Sequence, residues 1–199
     1  MRIAGIIVAA GRSSRFEGGN KLLAEIDGKP LIRNVIDAAC DAALDEIVVV
    51  TAPGAPAVHA AARGDTWRTI TNPDAADGLS TSIQCGLSAI DQTSDGALII
   101  LADMPRLTAR LINDLCAAFA ARNAQAIVFP QCRDGRQGNP VLWPRMLYAE
   151  LMALSGDAGG KVLLAANPGL LQPVAVEGDA AFVDIDTRAD LARLMEGQD

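Results

Sequence analysis

Arg12, Arg15 and Lys21 crowd together with Gly11, Gly18 and Gly19 in "VAAGRSSRFEGGNKLL", residues 8–23, directly after an apolar run. A hydrophobic core has no use for that many cations at the mouth of a strand. A glycine-rich turn can aim backbone N–H groups into a concave anion site, and a following helix start adds to it. Arginine contributes a flat fork that matches phosphate oxygens, and lysine a point charge. The chemistry these types imply is binding of a phosphate-bearing ligand; a surface loop with incidental charges is the bland alternative. Two familiar phosphate loops do not fit. Gly18-Gly19-Asn20-Lys21 is followed by Leu22, which breaks the G-x-x-x-x-G-K-[ST] pattern, and the glycine spacing does not match G-x-G-x-x-G.

Aspartates are the second chemistry-bearing set. "ALIILADMP" places Asp103 just past a buried run, and "FVDIDTRADL" offers Asp184 and Asp186. A carboxylate beyond a strand, on the same sheet edge as a phosphate loop, can hold Mg²⁺, which favours a few carboxylates plus phosphates and water. Alternatively Asp103 caps a turn before Pro105. In an extended stretch, period-2 alternation sends Asp184 and Asp186 to one face. Asp186 also precedes Thr187 at a helix start, where capping is its structural role.

The elements that must position these groups follow from patterning. "RIAGIIVAA", "EIVVVTAP", "WRTITNP", "DGALIILADMP" and "AQAIVFPQ" read as strands, the most apolar of them buried on both faces. "KPLIRNVIDAACDAAL", "PAVHAAAR", "DGLSTSIQCGLSAI" and "TARLINDLCAAFAAR" between them read as helices, with Pro30 in a first turn and Thr108 as an N-cap. "CRDGRQGNPVLWP" predicts a loop returning to a short strand, followed by helical segments around 145–154 and 160–166. "AFVDID" predicts a last strand and "TRADLARLME" a closing helix. Strands alternating with helices predict a three-layer α/β/α, Rossmann-like architecture with a mostly parallel sheet and one antiparallel excursion, in a single domain spanning 1–199.

Composition narrows the classes. Of 199 residues 50% are hydrophobic but only 4% aromatic, so the core must be aliphatic. The net charge of −7 opposes nucleic acid and anionic membranes, so any anion must bind a local cationic cluster. No stretch approaches the roughly 20 apolar residues of a membrane span. The cysteines Cys40, Cys85, Cys116 and Cys132 form no C-x-x-C pair, and His59 is the sole histidine; zinc sites and Ser-His-Asp catalysis are poor readings. A cytoplasmic protein is expected.

At this point the motifs resemble a known family. The loop at 8–23 is similar to that of the MobA-like nucleotidyltransferases, roughly L-A-[AG]-G-x-S-x-R-[MF]-G-x-x-K, with Val8 for leucine and one more residue before Lys21. The resemblance implies that Ala9, Ala10 and Gly11 wrap a nucleotide and that Arg12 and Lys21 contact its phosphates. It implies that Asp103, in a motif like L-x-D-M-P, and Asp186, before the last helix, bind Mg²⁺ or Mn²⁺, with Asp186 favoured over Asp184. "NPDAADGLSTSIQCGL" resembles the segment that cradles base and ribose, which would set Asn72, Gly78, Ser80 and Ser82 near the nucleotide. "GRQGNPVLW" and "GDAGGKVLL" resemble acceptor-side motifs, implying Gly138, Asn139, Pro140, Asp157, Gly159 and Lys161 as acceptor contacts. Asn139 stands where several relatives carry His, and Lys161 where many carry Arg.

The implied fold is that of the nucleotide-diphospho-sugar transferases. Ala-Ala-Gly at 9–11 tends to accompany CTP in this family, where Ala-Gly-Gly accompanies GTP. The implied reaction is transfer of CMP from CTP to the terminal phosphate of molybdopterin, releasing pyrophosphate, with Arg12, Lys21 and Asp103 catalytic. Guanylyl transfer from GTP, another small-molecule nucleotidyl transfer, and a noncatalytic molybdopterin-binding chaperone are the alternatives. A molybdoenzyme or its chaperone would be the protein partner.

Overall fold

The computed structural model describes residues 1–157, 159–178 and 181–197. The strands are β1 (Ile3–Ala9), β2 (Glu25–Ile26), β3 (Lys29–Pro30), β4 (Glu46–Thr51), β5 (Arg68–Thr71), β6 (Gly96–Leu101), β7 (Ile127–Gln131), β8 (Val141–Pro144) and β9 (Leu171–Ala175). The helices are α1 (Leu31–Cys40), α2 (Pro56–Ala61), α3 (Leu79–Ala89), α4 (Ala109–Ala121), α5 (Tyr148–Met152), α6 (Lys161–Ala166) and α7 (Arg188–Glu196). Seven strands form one sheet in the order β5-β4-β1-β6-β8-β7-β9, and β2 pairs with β3 in a small hairpin. All pairings in the large sheet are parallel except those of β8, which runs against both β6 and β7. That strand is the antiparallel excursion expected from the loop at 131–140.

β1 shows why the sheet carries helices on both faces. All seven of its residues are buried. Ile3, Ile7 and Ala9 pack into the cluster that contains α1 and α4, while Ala4, Ile6 and Val8 pack into the cluster of α3, α5 and α6. Alternate residues of one strand therefore feed two cores, which a continuous aliphatic run permits and an alternating one does not. α3 lies especially close: a Cβ at Gly86 would come within 2.3 Å of Ile6 Cγ2.

The last strand is not where the sequence suggested. Residues 182–186 join no ladder; β9, with the sequence LQPVA, takes the sheet edge and pairs in parallel with β7 from Ile127↔Leu171 to Gln131↔Ala175. Pro173 and the partial exposure of β9 suit an edge strand, where a missing N–H costs little. Residues 181–186 are instead tied at single points, with Asn139 N donating to Ala181 O and Ile185 N to Asp103 O, each at 3.0 Å. Ile185 is fully buried and anchors the stretch by its side chain. Among the described residues, no helix is long and apolar enough to cross a membrane.

Candidate active site

The glycine loop leaves β1 at its C-terminal end and is held from within. Ser13, at φ 50°, donates from Oγ to Asn20 Oδ1 at 3.1 Å and accepts from Lys21 N at 3.2 Å. Asn20 in turn accepts from Leu22 N at 3.0 Å, capping the turn that presents Lys21. Phe16 is buried in the core, and Arg188 of α7 sits over its ring while donating to Glu17 O at 2.6 Å. Gly18 needs its φ of +76° and would drive any Cβ to 2.9 Å from Arg188 Nη2. Arg12 reaches across to Ala76 O at 3.1 Å.

The carboxylates converge on this loop. Asp103 follows β6; Ala102 N still donates to Val8 O at 3.1 Å, so the chain leaves the sheet beside the end of β1. Asp186 precedes α7, whose capping box holds it in place: Asp190 accepts from the amides of Asp186 and Thr187, at 3.1 and 2.7 Å. One ligand atom from each of Asp103, Asp184 and Asp186 lies within 4.8 Å of the others. Lys21 Nζ donates to Asp103 Oδ2 at 2.6 Å and to Asp186 Oδ1 at 2.8 Å, and Arg15 pairs with Asp186 Oδ2 at 2.8 Å.

Burial disfavours the Lys21 charge, but the two carboxylates outweigh it and raise its pKa above the ordinary value. Desolvation, then the charges of Asp103 and Asp186, push the Asp184 carboxyl up. A group of acids that repel one another this closely fits a divalent cation. So does the buried Asp103 Oδ1, which has no hydrogen-bond partner.

Gly11, Arg12, Arg15, Lys21, Leu79, Asp103, Asp184 and Asp186 line one cleft of about 350 Å³. A second, of about 300 Å³, adjoins it through Leu101 and Asp184 and is lined by Arg136, Gly138, Asn139 and Phe182. Arg136 lies over the Phe182 ring at 5.3 Å and is held by Asp134 at 2.8 Å. Pro140, next to the second cleft in sequence, is buried at the head of β8.

Other candidate residues serve from beneath or to one side. Ala9 and Ala10 are buried. Asn72 is buried with its amide nitrogen on Thr81 Oγ1 and Ser82 Oγ and its oxygen on Asp74 N, so it braces the 72–82 segment. Ser82 is its buried acceptor, and Ser80 is fully buried with an unpartnered Oγ. Gly78, at φ +111°, packs on the 156–157 turn, where a Cβ would come 2.6 Å from Gly156 C. Asp157 accepts from Leu79 N at 3.1 Å, and a Cβ on Gly159 would touch Leu79 Cδ2 at 3.1 Å. Asp157 and Gly159 therefore support the start of α3 and do not line the cleft at 136–139. Lys161 is exposed at the start of α6.

Sequence reasoning gave no role to Arg136 or Phe182, and it ranked Asp184 below Asp186, although the structure places both in one cluster with Asp103. The D-x-D spacing was the available signal for Asp184. A cation-bearing glycine loop facing clustered carboxylates, at the C-terminal edge of a mostly parallel sheet, is suited to a phosphate-bearing ligand and a divalent ion. Residues 5–172 match the MobA-like NTP transferase domain, and the chain belongs to that family. Nicotine blue oxidoreductase of Paenarthrobacter nicotinovorans is 26% identical over 197 residues, covering 97% of this chain and 96% of the relative. Purine catabolism protein PucB of Bacillus subtilis (strain 168) is 26% identical over 207 residues, covering 96% of each. Rv0371c from Mycobacterium tuberculosis H37Rv superposes with a TM-score of 0.86 at 26% identity over 98% of both chains. Its complex with manganese superposes at 0.83 and 25%, over 98% of this chain and 99% of that one.

Proposed function

We propose that the protein transfers CMP from CTP to the terminal phosphate of molybdopterin, yielding molybdopterin cytosine dinucleotide and pyrophosphate. Nucleotidyl transfer is supported by the meeting of Lys21, from the glycine loop, with Asp103 and Asp186 inside one cleft; CTP and molybdopterin are what the motif resemblance implies. The triphosphate lies along the loop, on its backbone amides and on Arg12 and Lys21. Ala9, Ala10 and the segment braced by Asn72, Gly78, Ser80 and Ser82 shape the nucleotide side. The adjoining cleft at Gly138, Asn139 and Pro140 takes the acceptor, with Asp184 at the boundary between the two. Asp157 and Gly159 act on the nucleotide side, through the first turn of α3, and Lys161 stays an acceptor contact.

A phosphate acceptor is anionic at neutral pH and needs no general base, so the residues position and neutralise. An acceptor oxygen bonds to the α-phosphorus while the bond to the β-phosphate oxygen breaks, and pyrophosphate leaves. Lys21 and Arg12 stabilise charge on the departing pyrophosphate. Asp103 and Asp186, with Asp184 beside them, would hold Mg²⁺ or Mn²⁺, which would supply further charge neutralisation at the phosphates.

The test is product analysis with molybdenum-loaded molybdopterin, Mg²⁺ and each of CTP, GTP, ATP and UTP. A cytosine dinucleotide from CTP alone is expected; a guanine product would assign the sister activity. Pterin binding without any product would make the protein a carrier that hands molybdopterin to a partner enzyme. The redox activity in the name of the Paenarthrobacter relative finds no G-x-G-x-x-G dinucleotide fingerprint in this chain.

A further inference from the structure

Both oxygens of Asp186 are already taken by cations. Oδ1 accepts from Lys21 and Oδ2 pairs with Arg15, each at 2.8 Å, and Lys21 also holds Asp103 Oδ2 at 2.6 Å. Both cations come from the glycine loop. A divalent ion that uses Asp186 must approach a carboxylate whose oxygens each carry a positive group, and like charges at that range repel. A bound triphosphate alters the balance, because it offers the same cations several anionic oxygens. Arg15 is free to swing, with a side chain 73% exposed, and Lys21 carries its charge on a flexible stem.

Resting on the nucleotidyltransferase reading, we propose that Lys21 and Arg15 form a counter-ion latch. Without nucleotide they neutralise Asp103 and Asp186 and hold divalent-metal affinity down. A triphosphate draws them off and opens the carboxylates to the ion. Metal and nucleotide binding are then coupled through a cation exchange within the protein, in addition to any bond between ion and phosphate. Linkage makes the coupling reciprocal: a bound ion releases the two cations to phosphate as much as phosphate releases the carboxylates to the ion.

Arg12 supplies the comparison. It lines the same cleft, but its side chain bonds the Ala76 carbonyl and no carboxylate of the triad. The latch therefore assigns different consequences to neighbouring loop cations, which a general effect of positive charge on the cleft does not.

The experiment is titration of the nucleotide-free full chain with Mn²⁺ alone, free Mn²⁺ being read by electron paramagnetic resonance. Lys21→Met is expected to tighten Mn²⁺ binding about tenfold. Arg15→Gln, an exposed change that spares the fold, tightens it less, and Arg12→Gln leaves it unchanged. Asp103→Asn removes the binding and so locates the ion. Lys21→Met thus gains metal affinity while losing turnover, whereas a merely structural lysine would lower both. Unchanged or weaker binding in both Lys21→Met and Arg15→Gln, with Asp103→Asn still abolishing it, overturns the latch and leaves the metal site standing. Binding that survives Asp103→Asn, or no binding in any variant, overturns the latch together with the metal assignment.

Discussion

The amide of Ile185 donates to the carbonyl oxygen of Asp103 at 3.0 Å, and this contact brings Asp184 and Asp186, which flank Ile185, to the chain that ends β6. Ile185 is fully buried, so the flanking carboxylates are brought to the third by an apolar anchor. The acidic cluster therefore depends on packing as well as on the presence of acids, which bears on how each variant should behave.

Asp103→Asn should lower turnover about a hundredfold to a thousandfold, the range for loss of a group that stabilises transition-state charge. Its carboxylate is only partly exposed and neutralises part of the Lys21 charge, so the variant should fold with a modestly lowered thermal midpoint. Chelation should abolish turnover of the native enzyme, and Mg²⁺ or Mn²⁺ should restore it. Steady-state rates beside a melting curve check all three outcomes.

Asp184 carries a pH signature. Desolvation and the Asp103 and Asp186 charges raise its folded pKa above the ordinary 3.8. Between 3.8 and that higher value the folded state binds more protons than the unfolded one, so stability falls as pH rises through this window. Asp184→Asn should therefore raise the midpoint of the metal-free protein at pH 7, with the advantage disappearing below the unfolded pKa. Melting curves across pH in chelator check it; a gain that persists at low pH would assign the effect to something other than ionisation.

Gly138→Ala touches no carboxylate yet should disturb the site. The added Cβ would meet Ala181 O at 2.5 Å, and backbone must move. The Asn139–Ala181 hydrogen bond weakens and the 181–186 stretch shifts with it. A cost of about 1–3 kcal/mol is expected, at roughly 2–4 °C of midpoint per kcal/mol for a chain of this size. Mn²⁺ affinity should fall alongside, measured on the folded variant below its midpoint.

Asp157→Ala separates the two substrate sides. Loss of its bond to Leu79 N removes a helix cap worth about 1 kcal/mol. KM for the nucleotide should rise while KM for the acceptor stays level, because α3 begins beside the nucleotide cleft. A rise confined to the acceptor would return Asp157 to the acceptor side.

The parts legible in the sequence were those with a strong local signal. β1, β4 and β6 are continuous aliphatic runs, and Thr187 with Asp190 forms the capping box that opens α7. The glycine loop and Asp103 stood out because charge follows apolar strand. β9 was hidden by Pro173 and by its half-exposed pattern, whereas "AFVDID" alternates like a strand but is held by one buried isoleucine and isolated hydrogen bonds. The pairing of Lys21 and Arg15 with Asp186 spans more than 160 positions of chain and left no local trace. The support Asp157 gives to α3 is likewise a contact between distant segments, invisible to periodicity.

The most direct measurement is pyrophosphate release by the native enzyme beside Asp103→Asn, with Mg²⁺ and each nucleoside triphosphate, in the presence and absence of molybdopterin. Release that requires both CTP and molybdopterin, and that Asp103→Asn all but eliminates, is the expected result. Equal release by Asp103→Asn, or none from the folded native protein with any nucleotide, would contradict nucleotidyl transfer at this cleft.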